Sequence, residues 1–196
     1  MEGFVCGESV EAKSADERSG TMGVDSRGKV NLRAVEAADL ELFFEWLRDP
    51  ESRRMAAFGA ENPDDRAGFM ARWTENVKNP ENTMRTVERD GRAVGFISSF
   101  TAPWSGKLEV SYWIAREFWG QGIATEALKK YLETMTTRPV HAQAATDNAG
   151  SLRVLEKCGF KVIGGARGFA PGRGEEVEEF VLVLGDAGGG KGCGAG

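Results

Sequence analysis

The chain has 196 residues, 41% of them hydrophobic, enough for one ordinary domain with a sizeable core. A formal net charge of −5 disfavours nonspecific nucleic-acid binding, which calls for a basic surface, and leaves a cationic amine as the better-matched partner. Three cysteines (Cys6, Cys158 and Cys193) without metal-ligand spacing, and a lone histidine, argue against a metal site and a histidine-dependent triad. No apolar run approaches the ~20 residues of a membrane span and the first thirty residues lack a signal-peptide core, so the chain reads as soluble, cytoplasmic and independent of membranes.

In chain order, residues 1–28 are polar and glycine-dotted without periodicity and read as a flexible extension. The domain spans 29–184. It opens with a strand at 30–34, then a helix with Asp39 as its cap and Leu40, Phe43, Phe44 and Leu47 as its apolar face, ended by Pro50. A second helix is expected from about Pro63 or Asp64 through Phe69, Met70, Trp73 and Val77 towards Pro80. Residues 83–89 and 92–100 flank Asp90-Gly91, a two-residue hairpin signal, and 108–114 supplies the third strand of that meander. A helix carrying Ala124, Ala127, Leu128, Tyr131 and Leu132 follows, then a strand at 140–146, a helix after Asn148, and strands at 160–166 and 178–184. Residues 185–196 are glycine-rich and read as a flexible tail. The order β-α-α-β-β-β-α-β-α-β-β predicts an α/β (α+β) fold with a mixed sheet of about seven strands and about four helices.

The most informative stretch is Trp119-Gly120-Gln121-Gly122-Ile123-Ala124-Thr125-Glu126-Ala127, a glycine-rich turn leading from a strand into an amphipathic helix. The first turn of that helix has unpaired N–H groups and the positive end of the helix dipole, and Gly120 and Gly122 allow a diphosphate close to the main chain. Three readings compete with a diphosphate-bearing cofactor of another kind. A dinucleotide fold would place a glycine at position 125, where Thr125 stands, and an acid among residues 136–140, where there is none. An ATP-binding loop would need Gly-Lys-Ser/Thr, which does not occur. An ordinary strand-to-helix turn needs glycine only for its backbone angles. The acidic groups Asp64, Asp65 and Glu75, and Glu175, Glu176, Glu178 and Glu179, either attract a cationic acceptor or are merely solvated faces.

Together with Asn148-Ala149-Gly150-Ser151-Leu152-Arg153-Val154-Leu155-Glu156-Lys157-Cys158-Gly159-Phe160, the glycine turn resembles the acetyl-CoA-binding core of the GNAT superfamily of N-acetyltransferases. More narrowly it is similar to the RimJ/RimL-like branch of N-terminal acetyltransferases of ribosomal proteins, spermidine acetyltransferases and some antibiotic acetyltransferases. The resemblance covers about 30–184. It implies a bulged strand before the turn, splayed from its neighbour so that pantetheine fills the slot. Main-chain groups of Tyr112, Trp113 and Ile114 would bond the pantetheine, and Trp119, Gly120, Gln121, Gly122, Ile123, Ala124 and Thr125 would form the diphosphate cradle, with Asn148 and Ser151 as further contacts. Trp119 departs from the Gln or Arg common in the wider family, which removes one polar or cationic contact but matches the narrower branch.

The implied reaction is direct attack of a neutral amine on the acetyl thioester in a ternary complex, and the ammonium must first lose a proton. Glu109 is the candidate base, on the same strand face as Ser111 and Trp113; the alternative is a surface ion pair with Lys107 or Arg116. Leu155 occupies the position of the family's proton-donating tyrosine, so the resemblance points to Ser151, with Tyr112 as fallback; Ser151 can instead be a helix-capping serine. The acceptor pocket is expected from residues 48–62, including Met55 and Phe58, and 164–176, including Arg167, Phe169, Pro171 and Arg173, with Trp46 and Trp104 as further lining. The lead acceptor is a protein N-terminal α-amine; a polyamine, an aminoglycoside and a non-catalytic acyl-CoA sensor are the alternatives. The chain is expected as monomer or homodimer.

Overall fold

In the computed structural model, which describes residues 28–185, seven strands form a single sheet. The strands are β1 (Val30–Ala34), β2 (Thr83–Arg89), β3 (Arg92–Thr101), β4 (Leu108–Ile114), β5 (Val140–Ala145), β6 (Lys161–Ala170) and β7 (Glu175–Leu184). Their spatial order is β1-β2-β3-β4-β5-β7-β6, and every pairing is antiparallel except β4 with β5. The extension and tail expected at 1–28 and 185–196 lie outside the described residues, Gly28 and Gly185 apart.

Five helices pack on the sheet: α1 (Asp39–Arg48), α2 (Pro50–Ala56), α3 (Arg66–Lys78), α4 (Ile123–Thr134) and α5 (Ala149–Lys157). The expected count of about four misses α2. Pro50 ends α1 but begins α2, because proline's fixed φ suits the first helical position and Asp49 Oδ1 accepts from the Ser52 N–H at 2.8 Å. Helix α3 begins slightly later than expected, where Asp65 caps Gly68 N–H at 2.9 Å. Asp39 is not the cap of α1. It is buried and holds Arg33 at 2.5 and 2.8 Å and the Thr86 hydroxyl at 2.7 Å. Burial alone would raise its carboxyl, but Arg33, the Glu36 N–H and Thr86 together hold it below its ordinary value.

The Asp90-Gly91 turn forms as expected, with φ of 52° and 78° at the two residues, the left-handed pair of a two-residue hairpin. The sheet separates two apolar layers. Val110, Ile114, Leu128, Tyr131, Val140, Leu155 and Leu182 belong to a core on the α4 and α5 side. Phe43, Phe44, Phe69 and Phe96 form an aromatic core on the α1 and α3 side, with Trp73 and Trp113 against it. Strand β4 therefore alternates as expected: Val110 and Tyr112 face one layer and Trp113 the other.

The last hairpin is more regular than expected. Strands β6 and β7 stay paired from Lys161↔Val183 to Ala170↔Glu175, and Gly164 marks a register shift within β6. The turn at its tip, residues 171–174, is held by Gly172 N–H to Ala57 carbonyl at 2.8 Å and by Arg173 to Asp147 at 2.8 Å.

Candidate active site

Strands β4 and β5 share a single bridging pair, Glu109↔His141, and beyond it β4 has no partner on that side although all seven of its residues pair with β3. The splay expected from the family is present. The expected bulge in β4 is not, since its register with β3 is unbroken; the neighbouring irregularity lies in β3, where Val94 is the extra residue opposite Val87 and Glu88 of β2. The gap opens a cleft of about 1580 Å³ that runs from the glycine turn to Glu109 and on to the acceptor side.

At one end of the cleft Gly122, with φ of 80°, caps α4 in the left-handed conformation, and Gly120 has φ of 74°. A Cβ at either would meet nothing within 4 Å, so the space before the turn is open, and no side chain caps the helix. The first N–H groups of α4 are thus available to an anion in a site with room for one. The donor set fits a diphosphate. Beside it Arg89, Lys129 and Lys157 line a smaller cavity of about 350 Å³.

The expected cofactor contacts divide by what their side chains already do. Trp119 donates its indole N–H to the Ile114 carbonyl at 2.7 Å, tying the turn to the end of β4. Gln121 accepts from Arg89 and donates to the Glu117 carbonyl at 3.1 Å, so only its main chain is left for a ligand. Asn148 caps α5 by accepting from Ser151 N–H at 3.0 Å and donates to the Met55 carbonyl at 2.9 Å. Tyr112, Trp113, Ile114, Gly120, Gly122, Ile123, Ala124, Thr125, Asn148 and Ser151 all line the main cleft; Gln121 lies on the smaller one.

Tyr112 and Ser151 meet: the tyrosine hydroxyl donates to the Ser151 carbonyl at 3.2 Å, and burial pushes the phenol up to about 12. Ser151 Oγ makes no hydrogen bond among the described residues, because Asn148 and not the serine caps α5. Leu155 is core, 1% exposed.

Glu109 is 6% exposed and lines the cleft. It forms no ion pair among the described residues; Arg116 instead faces Asp49 at 3.6 Å. Burial raises its carboxyl above the ordinary value, opposed by the Ser105 hydroxyl at 3.3 Å, Trp104, His141 and Lys107. Two neighbours join it, His141, which the sequence did not mark as a site residue, and Glu179, named there only as part of an acidic run. His141 is buried opposite Glu109 with Nδ1 unpartnered, and Glu179 reaches the same cleft from β7. Register alone could have found them: His141 and Glu179 alternate onto the Glu109 face once the β4-β5-β7 order is known.

On the acceptor side, Met55, Phe58, Trp104 and Pro171 line the cleft as expected. Arg167 pairs with Glu176 at 3.0 Å on the surface, Phe169 is 60% exposed, and Arg173 is spent on Asp147 and the Arg54 carbonyl. Trp46 packs on Phe43, away from the cleft lining. No cluster of His, Cys, Asp or Glu among the described residues is arranged to hold a metal, and none of their helices is long and apolar enough to cross a membrane.

Comparison with known proteins agrees with this geometry. Residues 29–161 match the model of the acetyltransferase (GNAT) domain. A curated relative, "Putative ribosomal N-acetyltransferase YdaF" of Bacillus subtilis (strain 168), is 30% identical over 148 residues, 70% of this chain and 81% of the relative. Spermidine N-acetyltransferase from Vibrio cholerae, solved with CoA and spermine, superposes with a TM-score of 0.64 at 19% identity, over 79% of this chain and 95% of that one. The ribosomal L7/L12 α-N-protein acetyltransferase RimL, solved with coenzyme A, superposes with a TM-score of 0.62 at 16% identity, over 78% and 92%. At such identities the two structures speak for the fold, and the family match for the chemistry. The chain belongs to the GNAT family and is an acetyl-CoA-dependent N-acetyltransferase.

Proposed function

We propose that the enzyme acetylates a primary amine by direct attack in a ternary complex, with a protein N-terminal α-amine as the lead acceptor. The observation that carries this reading is the continuous cleft from a helix N-terminus without a side-chain cap to a buried carboxylate that has no ion pair among the described residues. Main-chain N–H groups from Gly120 to Thr125 would hold the diphosphate, and β4 would offer its unpaired edge at Tyr112, Trp113 and Ile114 to the pantetheine. Bound there, acetyl-CoA supplies an activated acetyl thioester.

The chain's own residues manage the protons. Glu109, with its carboxyl raised by burial, removes a proton from the incoming ammonium. Ser151 Oγ, which has no hydrogen-bond partner among the described residues, offers a proton to the departing thiolate; the Tyr112 proton is held more tightly and is already donated to the Ser151 carbonyl. The α-amine reading is supported by the ribosomal acetyltransferases among the similar proteins. A polyamine is the second reading, favoured by a further buried carboxylate, Glu179, in the same cleft.

The test is CoA-thiol release from acetyl-CoA against N-terminal peptides, polyamines and aminoglycosides, with heat-inactivated protein as the blank. Acceptor-dependent release is expected. Acetyl-CoA binding without turnover on any amine would instead make the chain a sensor.

A further inference from the structure

Glu179 is buried, 9% exposed, yet no hydrogen bond or ion pair among the described residues engages its carboxylate. Its oxygens are not among the fully enclosed unpartnered polar atoms of the described residues, so they open onto the cleft, where the low exposure of the side chain favours completion by a ligand's cation. Glu179 lines the same cleft as Glu109, and the Glu109 charge is its one electrostatic neighbour of note. Both face the α1–α3 side of the sheet: Glu109 is two and four residues from Ser111 and Trp113 on β4, and Glu179 pairs with Ala145 beside Val177 and Ala57.

The two carboxylates are rooted at separate points of the sheet, although each lies within reach of the other's charge. Glu109 is opposite His141 and Glu179 opposite Ala145, four residues further along β5 and two strand spacings across. That is ~13 Å along the strand and ~10 Å across it between backbone positions, with the side chains reaching into the cleft between. One ammonium at Glu109 therefore leaves Glu179 unsatisfied at a separate point. Phe58 lines the same cleft, and on the β3 side of Glu109 stand Phe100 and Trp104, an edge-to-face pair with centroids 6.2 Å apart, so the cleft offers apolar surface suited to methylenes.

We infer that Glu179 is a specificity-determining contact for a second cationic group of the acceptor, carried a few bonds from the nitrogen that is acetylated. The inference rests on the proposed amine acetylation and names the acceptor's chemistry: a primary amine with a nearby second positive charge. A diamine and a peptide with a basic side chain close to its N-terminus both present it.

The test compares wild type, Glu179→Gln and Glu179→Asp on matched acceptors. These are butylamine against 1,3-diaminopropane and 1,4-diaminobutane, and peptides with alanine against lysine at the second position. In wild type the second cation should improve kcat/KM at least tenfold in one of the two series, which identifies the source. Glu179→Gln should abolish that preference through KM while leaving kcat and acetyl-CoA affinity within twofold, and Glu179→Asp should restore part of it. Turnover in wild type with a preference unchanged in Glu179→Gln would overturn the role of Glu179 while leaving amine acetylation standing. If wild type transfers to no amine, calorimetry of diamine binding to the CoA complex decides: binding lost in Glu179→Gln upholds the second-cation contact, and no diamine binding to wild type overturns it.

Discussion

Replacing Glu109 by Gln keeps the shape of a side chain that is 6% exposed and can still accept from Ser105, so it removes the base without opening a cavity. At pH 7 a protein α-ammonium with pKa ~8 is ~10% neutral and an alkylammonium with pKa ~10 only ~0.1%, and the wild-type carboxylate compensates by taking the proton within the complex. Loss of a positioned base costs ~10²-fold or more in turnover, about 2.7 kcal/mol of barrier for a hundredfold. The pH dependence carries the sharper signature. Burial raises the Glu109 carboxyl, with Ser105, Trp104, His141 and Lys107 opposing and the Glu179 carboxylate nearby, so wild-type activity should fall as pH drops through a value above the ordinary carboxylate range. In Glu109→Gln that inflection should vanish and the rate should climb about tenfold per pH unit until the acceptor itself titrates. CoA-thiol release followed from pH 5 to 9.5, with acetyl-CoA affinity measured alongside, reads both effects. A variant that keeps the acid limb, or loses under threefold at neutral pH, would refute Glu109 as the base.

Gly122→Asp should weaken CoA binding at least tenfold, since it places a carboxylate before the helix N-terminus and a side chain at φ of 80°; calorimetry showing retained affinity would mean the diphosphate binds elsewhere. Ser151→Ala should lower kcat roughly tenfold with both KM values steady, whereas Tyr112→Phe should change kcat less, because that hydroxyl is already committed to the Ser151 carbonyl. Equal losses in the two variants would reverse the assignment. Asp39→Asn should destabilise the fold by about 1–3 kcal/mol by weakening the buried carboxylate's bonds to Arg33, which is left with Glu88, and to the Thr86 hydroxyl, read as a drop in melting temperature. Because the folded Asp39 carboxyl lies below its unfolded value, its stabilisation is full above the unfolded value and is lost as pH falls through the folded one; the gap between wild type and variant should therefore close in acid.

Where local chemistry decided the structure, the sequence was sufficient. Asp90-Gly91 fixes its hairpin through left-handed backbone, and Gly120 and Gly122 fix the cradle for the same reason. The face of β4 follows from alternation, which put Glu109 opposite Val110 and Tyr112 without knowledge of the fold. Where neighbours distant in sequence decided it, the reading failed. Pro50 is the local exception: it reads equally as a stop and as a start, and the Asp49–Ser52 cap three residues long chooses. Asp39 has the sequence look of a cap, yet Arg33 and Thr86 claim it from β1 and β2. Glu179 stood in an acidic run indistinguishable from a solvated face, because its burial depends on β7 lying beside β5, an order that crosses the chain.

The same long-range pairings join the proposed acceptor side and the proposed cofactor side of the cleft. Asn148 caps the helix that carries Ser151 and, through its other amide atom, holds the Met55 carbonyl at the end of α2. One residue earlier, Asp147 takes both guanidinium nitrogens of Arg173, whose Nε–H donates to the Arg54 carbonyl at 2.6 Å. Gly172 completes the latch; a Cβ there would stand 2.6 and 2.7 Å from the carbonyl oxygens of Arg53 and Ala57, so only glycine lets the hairpin tip come this close. Ala57 itself is fully buried at φ of 63°, an unfavourable angle for alanine that the surrounding contacts enforce. The segment 53–57 is therefore clamped by α5's cap on one side and the β6–β7 turn on the other. The wall proposed to meet the acceptor is positioned by Asn148, the cap of α5, and by Asp147 just before it, so on the proposed reading a substitution at either should disturb amine and CoA recognition together rather than one alone.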